Sequence, residues 1–461
     1  MLYIQHFKNR KMKKIETHPT VINYRKNKKN RIDEKKIHEN KVLKSKELKK
    51  VLLELGADDL GFVELSRASI SDQKADILAA YPKAKTLISY VCKMNKEPIR
   101  TPARSVANLE FHHTGDKVNE AGNKMVRYLE DRGTGGINPA MGFPMEMNNY
   151  PGKMWVVSHK PVAEAAGLGK MGLHRNLIHH KFGNFILLGT IIIEAEVDEY
   201  DFPIDYNPCL GCNLCVAACP VGAISLDGEF NFNSCYNHNY REFMGGFTDW
   251  VEHIADSKDG MDYRKKVTSK ETASVWQSLS FGANYKAAYC LSVCPAGEDI
   301  IGSYLENKKM HIQSIVKPLQ NKLEPIYVVP NSDAEDHVKK YFPKKTVRNI
   351  RGTLRSESID SFLESMHLVF QRNQSEGLNA VYHFIFDGKE KRNATITIKD
   401  KKLVVEGELI GKADLVVRVD SEVWIKVMKK EMNIFKAILL RKIKLKGSPK
   451  LLRSFEKCFP S

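Results

Sequence analysis

The stretch that decides the fold of this chain is a compact run of four cysteines, Cys209-Leu-Gly-Cys212-Asn-Leu-Cys215-Val-Ala-Ala-Cys219-Pro220. Its C-x2-C-x2-C-x3-C-P spacing lets three thiolates hold one face of an iron–sulfur cube while the fourth points toward a second cluster. Structural zinc sites, the main rival interpretation, favour paired C-x2-C knuckles instead. The run therefore predicts an iron–sulfur protein that moves single electrons.

Further cysteines downstream complete the pattern of a bacterial ferredoxin, in which a distant Cys-Pro corner closes the first cluster. We assign four ligands to cluster one, a 4Fe-4S cluster: Cys209, Cys212, Cys215 and Cys294. Three remain for cluster two, one thiolate short of a full set: Cys219, Cys235 and Cys290. A 4Fe-4S cluster with a non-cysteine ligand such as His238, a 3Fe-4S cluster, and loss of cluster two all remain open.

The other two cysteines indicate a reducing compartment. Cys92 and Cys458 stand alone in apolar surroundings, as inert core thiols do, and nothing resembles a disulfide framework. No run of eighteen apolar residues predicts a membrane span, and the N-terminus lacks the apolar region of a secretory signal. We expect a cytoplasmic protein.

Charge divides the chain into three regions. The first 50 residues carry a net charge of +12, residues 337–461 carry +13, and the middle carries −8. Residues 1–42 are rich in lysine and asparagine without an apolar period, which predicts a disordered basic tail. Because no aromatic interleaving or folded nucleic-acid module accompanies this tail, we do not expect nucleic acid as a partner.

Order begins at residue 43, where strand and helix patterns alternate. They predict strands over 60–65 and 86–92, a long helix over 105–132, and a central buried strand over 185–193. This alternation indicates an α/β fold. We divide the middle of the chain into an α/β core over 43–200, a ferredoxin-like module over 201–300, and a closing segment of the core with a linker over 301–350.

A glycine-rich segment, Gly167-Leu-Gly169-Lys-Met-Gly172, matches the pattern G-x-G-x-x-G. A dinucleotide site requires a strand immediately before this pattern, whereas residues 160–166 have a helical composition. Glycines at this density still indicate a close approach of the backbone, either to a cofactor or to a neighbouring strand.

The middle of the chain resembles a known family on three segments: Ser158-His-Lys-Pro-Val-Ala-Glu-Ala-Ala-Gly-Leu-Gly169, Gly183-Asn, and Asn207-Pro-Cys209 with the cysteine run. Over about residues 45–345 it is similar to the epoxyqueuosine reductase and reductive dehalogenase group of cobalamin-dependent iron–sulfur proteins. The resemblance implies a nitroreductase-related core that cradles a corrinoid. It also implies two clusters fed by a low-potential donor such as ferredoxin or flavodoxin.

Two positions depart from that family. Epoxyqueuosine reductases have an aspartate that resembles a proton donor, and the matching position here is Lys153. A cysteine usual three residues before the one matching Cys290 is replaced by Ala287. Both departures argue against transferring the tRNA-modifying reaction to this chain.

Candidate site residues outside the cysteines come from the glycine segment and from histidines. The resemblance nominates four residues for a cofactor site: Gly167, Gly169, Gly172 and His174. Because histidine titrates near neutral pH, we nominate His113 and His159 as catalytic proton donors.

The C-terminal region, residues 351–461, reads as a separate α+β domain. Alternating segments over 380–387, 393–399, 403–408 and 415–419 predict an antiparallel meander, followed by helices and a last strand. Over about 355–461 the order resembles the sterol carrier protein type-two domain, which implies an apolar tunnel for acyl chains or sterols. A structural appendage is the alternative. Its positive charge would suit peripheral contact with an anionic membrane.

These observations favour a reductase that passes electrons through its clusters to a corrinoid and acts on a small-molecule or lipid-like substrate. Two alternatives remain: an electron-transfer protein without a corrinoid, and a lipid-binding protein whose clusters are structural or sense redox state.

Overall fold

The computed structural model of the chain describes residues 15–26, 42–148 and 150–460. Residues 19–26 are helical and mostly exposed, so the prediction of a disordered tail over 1–42 does not hold for them. Residues 1–14 and 27–41 of that tail lie outside the described part. Within the described ranges, no helix combines the length and the apolar character needed to cross a bilayer.

The core is built on a four-stranded sheet in the order β1-β2-β6-β3. Its strands are β1 (Asp59–Glu64), β2 (Thr86–Lys93), β3 (Gly136–Ile137) and β6 (Ile186–Ile193). Every residue of β6 is buried, which confirms the central strand that its apolar run predicted. All three pairings are antiparallel. The core is therefore mixed α/β without the parallel crossovers that alternating strands and helices suggest.

Helices cover both faces of this sheet. Five helices belong to the core: α1 (Ser45–Glu54), α2 (Lys74–Ala80), α3 (Lys96–Arg100), α4 (Arg104–Glu130) and α5 (His159–Ala165). Leu52 of α1 and Met125 of α4 pack on one face. Ile77 of α2 and Val162 of α5 pack on the other. The long helix α4 lies within two residues of its predicted bounds at each end.

A hairpin lies between α5 and β6 in the chain, and the loop after β6 leads into the cysteine-rich module. The hairpin consists of β4 (Gly169–Met171) and β5 (Leu177–His179) and pairs separately from the main sheet. The module that follows holds six helices: α6 (Leu214–Ala218), α7 (Phe232–Asn239), α8 (Gly245–Ala255), α9 (Gly260–Lys266), α10 (Ser269–Phe281) and α11 (Tyr289–Val293). Helices α6 and α11 pack against each other, while α7 to α10 form an insertion between them.

The segment after the module contains α12 (Glu298–Glu306), α13 (Lys308–His311), a π-helical turn (Ile312–Val316), α14 (Lys317–Asn321), β7 (Pro325–Val328), α15 (Asp333–Tyr341) and β8 (Thr346–Asn349). Strands β7 and β8 pair in parallel. Leu319, Ile326 and Val338 pack into one apolar cluster with Cys215, Cys219 and Ala287. Most of this segment therefore encloses the cysteine-rich module, a correction to the prediction that it closes the core.

The C-terminal domain has a five-stranded sheet in the order β11-β10-β9-β12-β13. Its elements are α16 (Ile359–Val369), β9 (Ala380–Asp387), β10 (Arg392–Lys399), β11 (Lys402–Glu406), β12 (Leu415–Asp420), α17 (Ser421–Met428), α18 (Ile434–Leu439), β13 (Ile443–Gly447) and α19 (Pro449–Lys457). The predicted meander is correct for β9, β10 and β11. It is wrong for β12, which crosses over and pairs in parallel with β9.

Candidate iron–sulfur centre

The cysteine-rich module consists of two similar halves. In the first, Asn213 takes a left-handed backbone conformation (φ 59°) and begins the five-residue helix α6, after which comes Cys219. In the second, Ala288 does the same (φ 52°) before the five-residue helix α11 and Cys294. Ala287 therefore occupies the position in the second half that Cys212 occupies in the first. The repeat is what a two-cluster ferredoxin fold requires.

The four cysteines assigned to cluster one meet at a single cavity. They are Cys209, Cys212, Cys215 and Cys294, and they line it together with Leu173, His174, Ile178 and Ala296. Burial raises the pKa of Cys215 to about 12, and the neighbouring cysteines add to the effect. Since these thiols are otherwise protonated, a bound metal is what would hold them as thiolates. The donor set fits a 4Fe-4S cluster.

The three cysteines assigned to cluster two also lie together. Cys219, Cys235 and Cys290 interact electrostatically with one another. Burial raises the pKa of Cys290 to about 12. Cys215 of the first set also interacts with Cys290, so the two sets are adjacent and an electron can pass between clusters held by them. Three thiolates in one buried pocket fit an iron–sulfur cluster with one open ligand position.

His238 is the non-cysteine candidate for that position. Its Nδ1 accepts a hydrogen bond from the backbone N–H of Tyr327 at 3.3 Å. Its Nε2 is buried and lacks a hydrogen-bond partner among the described residues. The suggestion that His238 is the fourth ligand therefore stays a prediction. In the repeat, Ala287 stands where a fourth cysteine ligand would be. Ala287 is buried, and its backbone N–H donates a hydrogen bond to Asn239 Oδ1 at 3.0 Å.

The missing thiolate can be restored by mutation. We expect Ala287→Cys to supply the fourth thiolate of the second site; a 3Fe-4S cluster there would become 4Fe-4S, with about one more iron atom per chain. The measurement is iron per chain together with the EPR spectrum after anaerobic reconstitution. Ala121→Cys, a second buried alanine replacement in the core, is the control and should leave both unchanged. An unaltered cluster in the Ala287 variant would contradict the repeat described above.

Three basic side chains that the sequence did not single out lie beside the cysteines. Burial lowers the pKa of Arg100, which lies near Cys294. Burial also lowers the pKa of Arg104, which lies near Cys290, and of Lys160, which lies near Cys290 and Cys235. Such cations offset the negative charge of thiolates held out of water. No local pattern marks them, because the chain reversals that place them are not visible in sequence.

The glycines of the segment 167–172 lie against neighbouring atoms of the protein itself. A Cβ at Gly167 would lie 2.4 Å from the carbonyl oxygen of Phe202, and one at Gly169 would lie 2.1 Å from that of Ile178. A Cβ at Gly172 would meet the side chains of Ile178 and His174. The nomination of Gly167 and Gly169 as cofactor contacts is therefore corrected: they permit close approach of neighbouring backbone. The preceding residues form α5, which removes the dinucleotide interpretation.

The two nominated catalytic histidines have different surroundings. His159 is partly buried, with Nδ1 2.9 Å from the Thr190 hydroxyl and Nε2 3.0 Å from the Ala140 carbonyl. Both of its ring nitrogens are thus occupied by structural hydrogen bonds. His113 is exposed on α4. Lys153, at the position of the absent acid, forms an ion pair with Asp76.

The positions of these residues show whether they could hold the expected corrinoid. The glycines that were to cradle it face backbone atoms, the nominated histidines do not converge, and His174 faces the cysteines instead. The nominated residues therefore do not fit a corrinoid, and we derive no step through one.

A second cavity, of about 410 Å³, lies in the C-terminal domain. It is lined mainly by apolar side chains of α16, α17, α18 and α19, including Phe362, Met366, Val427 and Phe455. Asn233 of α7, two residues before Cys235, also contributes to the wall. Its size is that of a small-molecule site. The cavity is thus shared between the C-terminal domain and the cysteine-rich module.

Comparison with known proteins assigns both modules. Residues 202–225 match the 4Fe-4S binding domain, and residues 367–460 match the SCP-2 sterol transfer family. The epoxyqueuosine reductase of Lactococcus garvieae (strain Lg2) is 35% identical over 77 residues, which are 17% of this chain and 21% of the relative. That of Bacillus cereus is 24% identical over 183 residues, 39% of each protein. The chain thus spans well under half the length of these relatives.

The class of protein is therefore an iron–sulfur protein with a ferredoxin-type module. More particularly, the resemblance indicated by the residues is confirmed: a segment related to epoxyqueuosine reductases is joined to an SCP-2 domain.

Solved structures show weaker likeness. An epoxyqueuosine reductase with a tRNA stem loop has 18% identity and a TM-score of 0.30, covering 42% of this chain and 56% of that one. A catabolic reductive dehalogenase in complex with 3-bromo-4-hydroxybenzoic acid has 16% identity and a TM-score of 0.36. The match covers 59% of this chain and 34% of the dehalogenase. The tRNA stem loop is a partner of that reductase, and the expectation that nucleic acid is not a partner of this chain stays a prediction.

Proposed function

We propose that the chain is a reductase that takes low-potential electrons from a donor such as ferredoxin or flavodoxin and passes them singly through two clusters. Cluster one is held by Cys209, Cys212, Cys215 and Cys294. Cluster two is held by Cys219, Cys235 and Cys290. The observation that supports the proposal most is the adjacency of these two buried sets, each on its own half of a repeated motif.

The residues around the sets suit electron transfer. The thiols are buried in an apolar cluster, which excludes water and keeps reduced iron from oxidants. Arg100, Arg104 and Lys160 supply positive charge at the edge of the sets. Positive charge stabilises the reduced, more negative state of a cluster and so raises its potential.

The terminal acceptor and the substrate complete the proposal. The family resemblance of the sequence implies a corrinoid as the acceptor and a nitroreductase-related core to hold it, but the residues nominated for that group do not fit it, so the proposal leaves the acceptor open. The cavity of the C-terminal domain suggests an apolar, lipid-like substrate. Free thiols at all nine cysteines suit a reducing compartment such as the cytoplasm, and the basic C-terminal domain suits contact with an anionic membrane.

Anaerobic reconstitution with iron and sulfide tests this function. We expect reduced flavodoxin to reduce the reconstituted clusters, seen as bleaching of visible absorbance and new EPR signals. Failure of reduction by any low-potential donor would overturn the proposal. Cobalamin added to the same sample separates the two forms of the proposal: stoichiometric retention supports a corrinoid-dependent reductase. No retention at micromolar concentration leaves the electron-transfer protein without a corrinoid.

A further inference from the structure

The hairpin of the glycine segment presents one histidine to the cysteines. The turn between β4 and β5 is fixed by hydrogen bonds from the N–H of Gly172 to Asn176 O and from the N–H of Arg175 to Gly172 O, both 2.9 Å. Arg175 takes a left-handed conformation (φ 62°), which tightens the turn. His174, at its centre, is 4% exposed and lines the cavity of cluster one.

The sequence around this histidine is shaped to hold its ring. A Cβ at Gly172 would lie 2.8 Å from Cε1 of His174, so a larger residue there would displace the ring. Nδ1 of His174 accepts a hydrogen bond from the backbone N–H of Asn176 at 3.1 Å. Nδ1 therefore carries no proton, and the neutral ring must carry its proton on Nε2.

The protonated nitrogen has no acceptor in the part of the chain that the structure describes. Nε2 of His174 is buried and lacks a hydrogen-bond partner among the described residues. A buried donor left unpaired costs about 1–3 kcal/mol, and native structures explain such donors by a bound group. The thiolates and sulfides of a cluster in this cavity are acceptors of that kind.

We propose that His174 Nε2–H donates a hydrogen bond to a sulfur of cluster one and raises the reduction potential of that cluster. The inference rests on cluster one of the proposed function. A donor to sulfur stabilises the additional negative charge of the reduced cluster more than it stabilises the oxidised one. Cluster one then accepts electrons more readily than it would in an apolar cavity. His174 acts through the cluster and is a tuning residue.

The test compares His174→Phe with His174→Gln in an EPR-monitored redox titration of the reconstituted protein. We expect His174→Phe to lower the reduced-to-oxidised ratio of cluster one at a fixed potential by about tenfold, equivalent to about 59 mV for one electron. His174→Gln keeps an N–H donor, so the midpoint potential of its cluster one should lie between those of the wild-type chain and His174→Phe. His367→Phe, an exposed histidine of the C-terminal domain, is the control and should leave the titration unchanged.

A second measurement needs no variant. With 15N-labelled histidine in the wild-type chain, pulsed EPR of reduced cluster one should show a hyperfine coupling to a histidine nitrogen. Absence of that coupling, or an unchanged midpoint in His174→Phe, would overturn the inference while leaving the cluster in place. Absence of cluster one from the wild-type chain would instead overturn the proposed function.

Discussion

Replacing Cys215 with serine is expected to remove cluster one and with it about half of the iron bound per chain. Serine is a poor ligand for iron in this setting, and Cys215 is buried and interacts with Cys209, Cys212 and Cys294. The visible absorbance should fall in proportion, and the electron path into or out of cluster two should be broken. The loss of cluster one is measured by iron analysis, visible absorbance and EPR after reconstitution.

Cys92→Ser provides the matched control. Cys92 is fully buried on β2, far from the module in sequence, and burial raises the pKa of its thiol to about 12, as expected of an inert core cysteine. This variant should keep its iron. Full iron in both variants would mean that Cys215 is not a ligand, whereas loss of iron in both would mean that the fold, and not ligation, is affected.

Filling the C-terminal cavity is expected to weaken binding of an apolar ligand by at least about tenfold, or about 1.4 kcal/mol. Val427 of α17 is buried and lines the cavity, so Val427→Trp places a large ring where the ligand would lie. The measurement is displacement of a fluorescent fatty acid from the full chain. Overpacking itself costs about 1–3 kcal/mol, so thermal unfolding should be followed in parallel.

Leu439→Trp introduces the same side chain at a position of α18 that is 83% exposed and outside the cavity lining. It should bind the fatty acid as the unmodified chain does. If neither variant nor wild type shows saturable binding, the domain is a structural appendage. If Val427→Trp binds normally, the ligand occupies another surface.

Local patterns in the sequence foretold much of the fold. The apolar run ending at Ile193 gave the central strand, and the helical composition of residues 160–166 correctly opposed a nucleotide site. The cysteine spacing and the Cys294–Pro295 corner placed seven thiols into two sets, and the structure brings these sets together. Such features depend on neighbours a few residues apart, and their geometry follows from backbone periodicity.

Features that depend on distant chain reversals were not foretold. The parallel pairing of β12 with β9 requires a crossover that alternation alone does not reveal. The nominated histidines were chosen for their chemistry, but His113 points to solvent and His159 is held by Thr190 and Ala140. His174 faces the cysteines only because a tight turn, specified by Gly172 and Arg175, brings it there.

Helix α16 has a practical consequence for dissecting the protein. The SCP-2 match begins at residue 367, inside this helix, yet Phe362 packs edge-on against Trp424 with ring centroids 5.6 Å apart, and Met366 is buried in the same core. A fragment cut at the family boundary would leave one wall of the domain behind and open its interior to water. Expression of the C-terminal domain on its own should therefore begin before Ser358, whose side chain caps the helix.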